Sequence, residues 1–173
     1  AAARALGDQK GAVVALDPST GAVLALVTSP TYDPNDVASH DIEAAGKAYD
    51  RLAGAKNRPL ANRAAREIYP PGSTFKLVTA AAALAEGQEP SSEVDSPDRL
   101  KLPGTNTFLP NSTDCGGTSV TLTRALEVSC NTAFANLGLD LGEDKLREQA
   151  QAFGFDQRHL DDLNGVASQF PDD

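Results

Sequence analysis

One stretch of the sequence decides the fold: Tyr69-Pro70-Pro71-Gly72-Ser73-Thr74-Phe75-Lys76. The two prolines and the glycine form a rigid breaker. The residues that follow, from Ser73 to Glu86, contain neither Pro nor Gly and are rich in Ala and Leu. This pattern predicts a helix that begins at Ser73 or one residue later and is stopped by Gly87.

Ser73 and Lys76 have the spacing of a nucleophile and its base. Residues three apart share one face of a helix, so the two side chains are expected to meet. A serine hydroxyl needs such a base, and a lysine serves when burial lowers its pKa. Phe75 and Leu77 supply apolar surroundings, and the N–H groups at the helix start favour an oxyanion. The alternative is a chance motif in which Ser73 is an ordinary N-cap.

A second motif, Ser129-Cys130-Asn131, interrupts a helical block. If the backbone there is extended, the hydroxyl and the carboxamide point the same way. Ser129 would then relay a proton to a leaving amine, and Asn131 would hold the substrate amide or Lys76. A polar helix cap is the ordinary interpretation of an isolated Ser-x-Asn. The joint occurrence of both motifs favours catalysis.

The two cysteines, Cys115 and Cys130, are either buried free thiols or a disulfide that closes a short loop. Gly116-Gly117 would let the chain turn back, which favours the disulfide narrowly. Such a bond implies an extracytoplasmic setting. His40 and His159 are too far apart in sequence to build a metal site with known ligand spacing. We expect no metal and no cofactor.

Length and charge exclude several classes of protein. A chain of 173 residues forms one domain with a core of its own. Its net charge of −9 and its lack of a basic stripe argue against nucleic-acid binding. No apolar run reaches the roughly 18–20 residues that a membrane span requires, and the first residues show no signal peptide. The chain itself is expected to be soluble.

Turn residues and apolar periodicity predict the remaining elements. A β-hairpin is predicted from strands at 11–16 and 22–27, joined by Asp17-Pro18-Ser19-Thr20-Gly21. Residues 88–119 are expected to be an irregular connection with, at most, short strands. Helices are predicted at 42–52, from Thr121 or Thr123 to Val128, at 132–141 and at 143–153.

Three segments together resemble the class B penicillin-binding proteins: Asn62-Arg63-Ala64, Tyr69 to Lys76, and Ser129-Cys130-Asn131-Thr132-Ala133-Phe134. The opening hairpin is also similar to the start of their transpeptidase domain. The resemblance implies an α/β (α+β) fold of the serine β-lactamase/transpeptidase type. In that fold a five-stranded antiparallel sheet is flanked by helices, and a mostly helical subdomain carries the second motif.

The resemblance also implies a function. Ser73, assisted by Lys76, Ser129 and Asn131, would be acylated by a D-Ala-D-Ala stem peptide of peptidoglycan and would transfer the acyl group to an amine of a neighbouring stem. β-Lactams would acylate the same serine and be released slowly. The full-length protein is expected at the extracytoplasmic face of the bacterial membrane, held by an anchor outside this chain, with other cell-wall synthesis proteins as partners.

The sequence departs from the family in one respect. The third family motif, Lys-Thr-Gly or Lys-Ser-Gly on a strand, does not occur in this chain. Residues 1–173 are therefore interpreted as the amino-terminal half of a transpeptidase domain. The isolated piece is expected to be inactive, because that strand contributes the second oxyanion N–H and binds the substrate carboxylate.

Other classes share Ser-x-x-Lys. Class D β-lactamases and β-lactam sensors carry it, but their second motif ends in Val, where this chain has Asn131. Class A β-lactamases need a deacylating Glu four residues before an Asn, and Leu160 occupies that place before Asn164. A catalytically inactive cell-wall-peptide binding module is disfavoured by the retention of Ser73 and Lys76. A purely structural domain would leave the coincidence of two motifs unexplained.

Overall fold

The computed structural model describes residues 1–171. The chain forms two compact units, one from residues 1–68 and 159–166, the other from residues 69–158 with the segment from 167 onward. Within residues 1–171, no helix combines the length and the apolar character that crossing a membrane requires.

The first unit is built on the predicted hairpin. Helix α1 (Ala2–Leu6) precedes β1 (Gly11–Leu16), which pairs antiparallel with β2 (Val23–Ser29). The second strand runs two residues beyond the predicted end. In the turn, the N–H and the hydroxyl of Ser19 donate to the Asp17 carboxylate at 2.8 and 2.6 Å. These bonds hold the pKa of Asp17 below its usual range.

The rest of this unit contains one long helix and a buried arginine. Helix α2 (Ile42–Ala53) is capped by Asp41, which accepts from the N–H of Ala44 at 3.0 Å. A short helix, α3 (Arg63–Arg66), follows. Arg63 is 1% exposed and donates to the carbonyls of Asn57 and Arg58 at 2.7 and 3.2 Å. The segment before α3 therefore wraps around one guanidinium group.

The helix predicted from Ser73 begins later than expected in the second unit. A 3-10 turn occupies Gly72–Phe75, and α4 runs from Lys76 to Ala85. Both the N–H and the hydroxyl of Thr74 donate to the carbonyl of Pro71, at 3.3 and 2.6 Å. Gly72 has a φ of 56°, which glycine adopts without a steric penalty. The turn is therefore wound more tightly than an α-helix.

The connection predicted at 88–119 contains short strands, as the sequence allowed. β3 (Glu93–Asp95) pairs with β6 (Ser119–Thr121), and β4 (Arg99–Lys101) pairs with β5 (Phe108–Pro110), both antiparallel. Within residues 1–171 the strands form three separate two-stranded sheets. The five-stranded sheet that the resemblance implies is thus not formed by this part of the chain.

The remaining helices agree with the sequence to within about one residue at each end. They are α5 (Leu122–Glu127), α6 (Asn131–Leu141) and α7 (Glu143–Ala152). Thr121 caps α5 by accepting from the N–H of Arg124 at 3.1 Å. The core of this unit lies between α4, α5, α6 and the β3–β6 pair, and its small side chains allow close approach of the helices; it includes Ala80, Ala83, Val94, Val120, Leu122, Ala125, Ala133, Phe134 and Leu137.

Candidate active site

The predicted nucleophile, Ser73, lies in the 3-10 turn that leads into α4. Its N–H is one of those that the start of a helix leaves without an intrahelical acceptor. The rigid Pro70-Pro71 dipeptide precedes it in the chain. Ser73 is thus carried on a tight turn held by Thr74 rather than on the first turn of a regular α-helix.

The amine of Lys76 connects the two sequence motifs. Lys76 Nζ donates to the carbonyl of Ser129 at 2.7 Å, to Ser129 Oγ at 2.9 Å and to Asn131 Oδ1 at 2.7 Å. A lysine ammonium has three protons, and each has an acceptor here. The second motif is therefore held directly against the lysine of the first.

Ser73 reaches this lysine through Ser129. Ser129 Oγ donates to Ser73 Oγ at 3.1 Å and accepts from Lys76 Nζ at 2.9 Å. The sequence predicted a direct meeting of Ser73 and Lys76. Among the described residues no hydrogen bond joins them directly, and the Ser129 hydroxyl bridges the two. The result is a continuous series of hydrogen bonds from the Ser73 hydroxyl to the Lys76 amine.

Burial lowers the pKa of Lys76 from its ordinary value, because desolvation disfavours the charged form. The ring of Phe134, whose centroid lies 5.8 Å from Nζ, provides an apolar neighbour. Leu77 was expected to contribute to this environment, but its side chain is 55% exposed. The lowered pKa of Lys76 agrees with the expectation from the sequence, whereas the shielding expected from Leu77 is wrong.

Ser129 has an unusual backbone conformation. Its φ is 54°, in the left-handed region that few non-glycine residues adopt. Its N–H donates to Leu126 at 3.1 Å, and the N–H of Cys130 donates to Ala125 at 2.8 Å. The expected extended backbone is therefore wrong at this residue. A tight reversal after α5 turns the Ser129 hydroxyl toward Ser73.

The Asn131 amide is oriented by bonds at both ends. Its Oδ1 accepts from Lys76, and its Nδ2 donates to the carbonyl of Pro110 on β5 at 3.1 Å. A flipped amide would place a donor against the lysine and an acceptor against a carbonyl. The orientation is thus fixed by the partners. Pro110 was not identified from the sequence, because nothing local marks a backbone carbonyl as a partner.

Cys115 and Cys130 form a disulfide, with Cα atoms 5.6 Å apart. The free-thiol alternative does not hold, since the described residues contain no free cysteine. Cys130 is fully buried and stands between Ser129 and Asn131. The bond therefore ties the middle of the second motif to the segment that follows β5.

An open cavity of about 370 Å³ lies over these groups. It is lined by Ser73, Lys76 and Asn131 together with the apolar side chains of Leu109 and Phe134. Acyl chemistry needs such a place, in which a carbonyl group can approach the nucleophile while the base stays partly shielded from water. All four catalytic residues predicted from the sequence are thus near one another.

Aromatic side chains from later in the sequence pack against the 3-10 turn that contains Ser73. The ring of Phe75 contacts those of Phe155, edge to face at 5.8 Å, and Phe170 at 6.2 Å. Arg147 stacks over Phe170 at 4.8 Å. These residues were not identified from the sequence, because their separation along the chain hides the contact.

Comparison with known proteins identifies the family of this chain. The family model for the penicillin-binding protein transpeptidase domain matches residues 11–173. The chain therefore belongs to this family. Its fold is that of the penicillin-binding protein transpeptidase domains, of which it contains a part.

Two curated relatives are peptidoglycan D,D-transpeptidases by name. The chain is 50% identical over 153 residues to PbpA of Mycolicibacterium smegmatis, covering 87% of this chain and 31% of that protein. It is 37% identical over 151 residues to MrdA of Escherichia coli K12, covering 87% of this chain and 23% of that protein. The chain thus spans less than a third of the length of either relative.

Solved structures of similar proteins share the fold. Penicillin-binding protein A from M. tuberculosis, as its penicillin G acyl-enzyme complex, superposes with a TM-score of 0.88 at 45% identity, covering 98% of this chain and 42% of that one. Pseudomonas aeruginosa PBP2 in complex with WCK 5153 gives 0.82 at 38% identity, covering 98% and 37%.

Proposed function

We propose that this chain is the amino-terminal part of a D,D-transpeptidase domain in which Ser73 forms an acyl-enzyme with the D-Ala-D-Ala end of a peptidoglycan stem peptide. The observation that carries the proposal is the hydrogen-bonded chain from Ser73 through Ser129 to Lys76. The names of the relatives support the reaction class.

Acylation begins with a proton transfer along the hydrogen bonds that connect Ser73, Ser129 and Lys76. Neutral Lys76 accepts the proton of Ser129, which in turn accepts that of Ser73, so that Ser73 Oγ attacks the carbonyl carbon of the peptide bond. The N–H of Ser73 stabilises the oxyanion that forms. The carbon–nitrogen bond then breaks, and Ser129 delivers a proton from Lys76 to the leaving amine of D-alanine.

The same groups act in reverse during transfer. The amine of a neighbouring stem attacks the Ser73 ester, and its proton passes through Ser129 to Lys76. Ser73 recovers a proton as the new peptide bond forms. A β-lactam is opened by the same attack, but its amine stays attached to the acyl group and does not leave. The acyl-enzyme it forms is therefore released slowly.

The rest of the site is supplied outside these residues. A Lys-Thr-Gly or Lys-Ser-Gly strand, absent from this chain, would add the second oxyanion N–H and bind the substrate carboxylate. We place the full-length protein at the extracytoplasmic face of the bacterial membrane, anchored there and working with other cell-wall synthesis proteins. The disulfide fits such an oxidising compartment.

The test is covalent labelling of the full-length protein with a fluorescent penicillin. Wild type is expected to form a stable adduct on Ser73, located by mass spectrometry of the peptides. Ser73→Ala is expected to form none, whereas Ser91→Ala, which changes an exposed serine in the same unit, should label like wild type. An undiminished adduct in Ser73→Ala would refute the assignment. Rapid loss of the adduct from wild type would indicate a β-lactamase.

A further inference from the structure

The side chain of Asn111, just after β5, is bound tightly to the start of α6. Its Oδ1 accepts from the N–H of Thr132 at 3.0 Å, and its Nδ2 donates to Thr132 Oγ1 at 3.0 Å and to the carbonyl of Pro97 at 3.2 Å. Thr132 is fully buried. A half-buried carboxamide thus uses its oxygen and its nitrogen on residues far from it in sequence.

The bond to the Thr132 N–H takes the place of a helix cap. Cys130 is the N-cap residue of α6 and makes no side-chain cap bond, since its sulfur belongs to the disulfide. The N–H at the second helical position, Thr132, normally receives such a bond from the cap residue. Asn111 supplies it from 21 residues away.

Pro110 and Asn111, which are adjacent in the sequence, bind Asn131 and Thr132, which are also adjacent. The carbonyl of Pro110 accepts from the side chain of Asn131, and Asn111 binds the main chain and hydroxyl of Thr132. A fourth hydrogen bond runs from Thr113 Oγ1 to the carbonyl of Val128 at 3.0 Å. The segment 110–113 is thus hydrogen-bonded to the chain on both sides of Ser129, at Val128 before it and at Asn131 and Thr132 after it.

From this arrangement we infer that Asn111 is a positioning residue for the acylation step, an inference that rests on the proposed function. It acts through Thr132 on Asn131, and Asn131 in turn orients Lys76. Within the described residues Asn111 makes no hydrogen bond to Ser73 or Lys76. Its loss therefore leaves the reacting groups present and misaligns them.

The inference predicts a split between chemistry and binding. In the full-length protein, Asn111→Ala is expected to lower the rate constant for acylation by a penicillin at least about tenfold, because small misplacements of reacting groups are costly. The dissociation constant of the complex before acylation should change much less. Asn111→Asp keeps an acceptor for the Thr132 N–H and is expected to acylate several-fold faster than Asn111→Ala.

The matched control is Asn136→Ala on α6, the helix whose start Asn111 binds. Asn136 Nδ2 also donates to a backbone carbonyl, that of Asp95 at 3.0 Å, which is outside the segment 110–113 that binds the second motif. Its acylation rate should stay near that of wild type. Equal slowing in both variants, or a wild-type rate in Asn111→Ala, would overturn the inference.

A second variant covers the case in which Asn111→Ala fails to fold. Thr132→Val keeps the shape of the buried side chain and removes only the oxygen that accepts from Asn111. Acylation should slow severalfold with the thermal unfolding transition intact, and an unchanged rate would overturn the inference. Absence of any Ser73 adduct in wild type refutes the proposed function and the inference together. If wild type forms the adduct but the variants do not show the expected slowing of acylation, only the inference is refuted.

Discussion

The hydroxyl groups of Ser73 and Ser129, 56 residues apart in the chain, lie 3.1 Å from each other. This contact joins the two motifs into one site and makes Ser129, not Lys76, the immediate hydrogen-bond partner of Ser73. The lysine is one hydrogen bond further away. In the proposed acylation step, the proton of Ser73 therefore passes to Ser129 before it reaches Lys76.

If Ser129 and Lys76 act in one relay, their removal is not additive. Ser129→Ala and Lys76→Ala are each expected to slow acylation of the full-length protein by about 10²–10⁴-fold, the usual contribution of a general base. The double variant should be little slower than either single one, because groups that act as a unit are lost together. Rates are measured by stopped-flow fluorescence with a labelled penicillin.

The control for the relay is Lys101→Ala, which removes an exposed lysine of the same unit. It should acylate at the wild-type rate. A double variant whose slowing equals the product of the two single effects would show that Ser129 and Lys76 act independently. The proton of Ser73 would then leave by another route.

The rate constant for acylation of Ser73 is expected to rise with pH and then level off. The relay needs neutral Lys76, and an amine is neutral above its pKa. Because burial lowers that pKa, the midpoint should fall below the ordinary lysine value. The acylation rate constant, measured from pH 5 to 10, tests this. Lys76→Arg should show no such rise, since arginine stays protonated. A wild-type midpoint at the ordinary lysine value would contradict the role of burial.

Local patterns in the sequence predicted the elements that depend on neighbouring residues. The Ala-rich run gave the body of α4, and the turn residues from Asp17 to Gly21 gave the hairpin. The pairing of two motifs, each ordinary by itself, indicated Ser73, Lys76, Ser129 and Asn131 as one group. Their proximity in the structure agrees with this.

Features that depend on distant contacts were not predictable. The 3-10 turn at Ser73 follows from how Thr74 bonds to Pro71, and the left-handed Ser129 from the tight reversal after α5. The partners of Asn131 and Thr132 lie 21 residues earlier in the chain. No period or propensity marks such pairs, because the segment between them folds into strand, loop and helix.

The buried Arg63 is expected to stabilise the first unit. Besides the carbonyls of Asn57 and Arg58 it faces those of Pro30 and Ala61. Arg63→Lys keeps the charge but offers fewer donors, so several carbonyls lose their partner. We expect a loss of about 2–4 kcal/mol in the free energy of unfolding.

The measurement for Arg63 is denaturant unfolding of the full-length protein, followed by fluorescence or circular dichroism. Arg66→Lys is the matched control, because Arg66 ends the same short helix and is exposed. Its free energy of unfolding should match that of wild type. Equal stability of the two variants would mean that the carbonyls around Arg63 find other donors.

The disulfide is expected to matter for catalysis as well as for stability. It closes a loop with a sequence separation of 15, for which the chain-entropy estimate is about 3 kcal/mol. Cys130 is fully buried between Ser129 and Asn131, so its release frees the backbone on which both side chains depend. The double variant Cys115→Ala/Cys130→Ala should therefore unfold more easily and acylate more slowly than wild type.

Denaturant unfolding and penicillin labelling of the same preparations measure the two effects. A reductant should lower both values in wild type and leave the double variant unchanged. If the double variant loses stability yet acylates at the wild-type rate, Asn111 and Pro110 hold the motif without help from the disulfide.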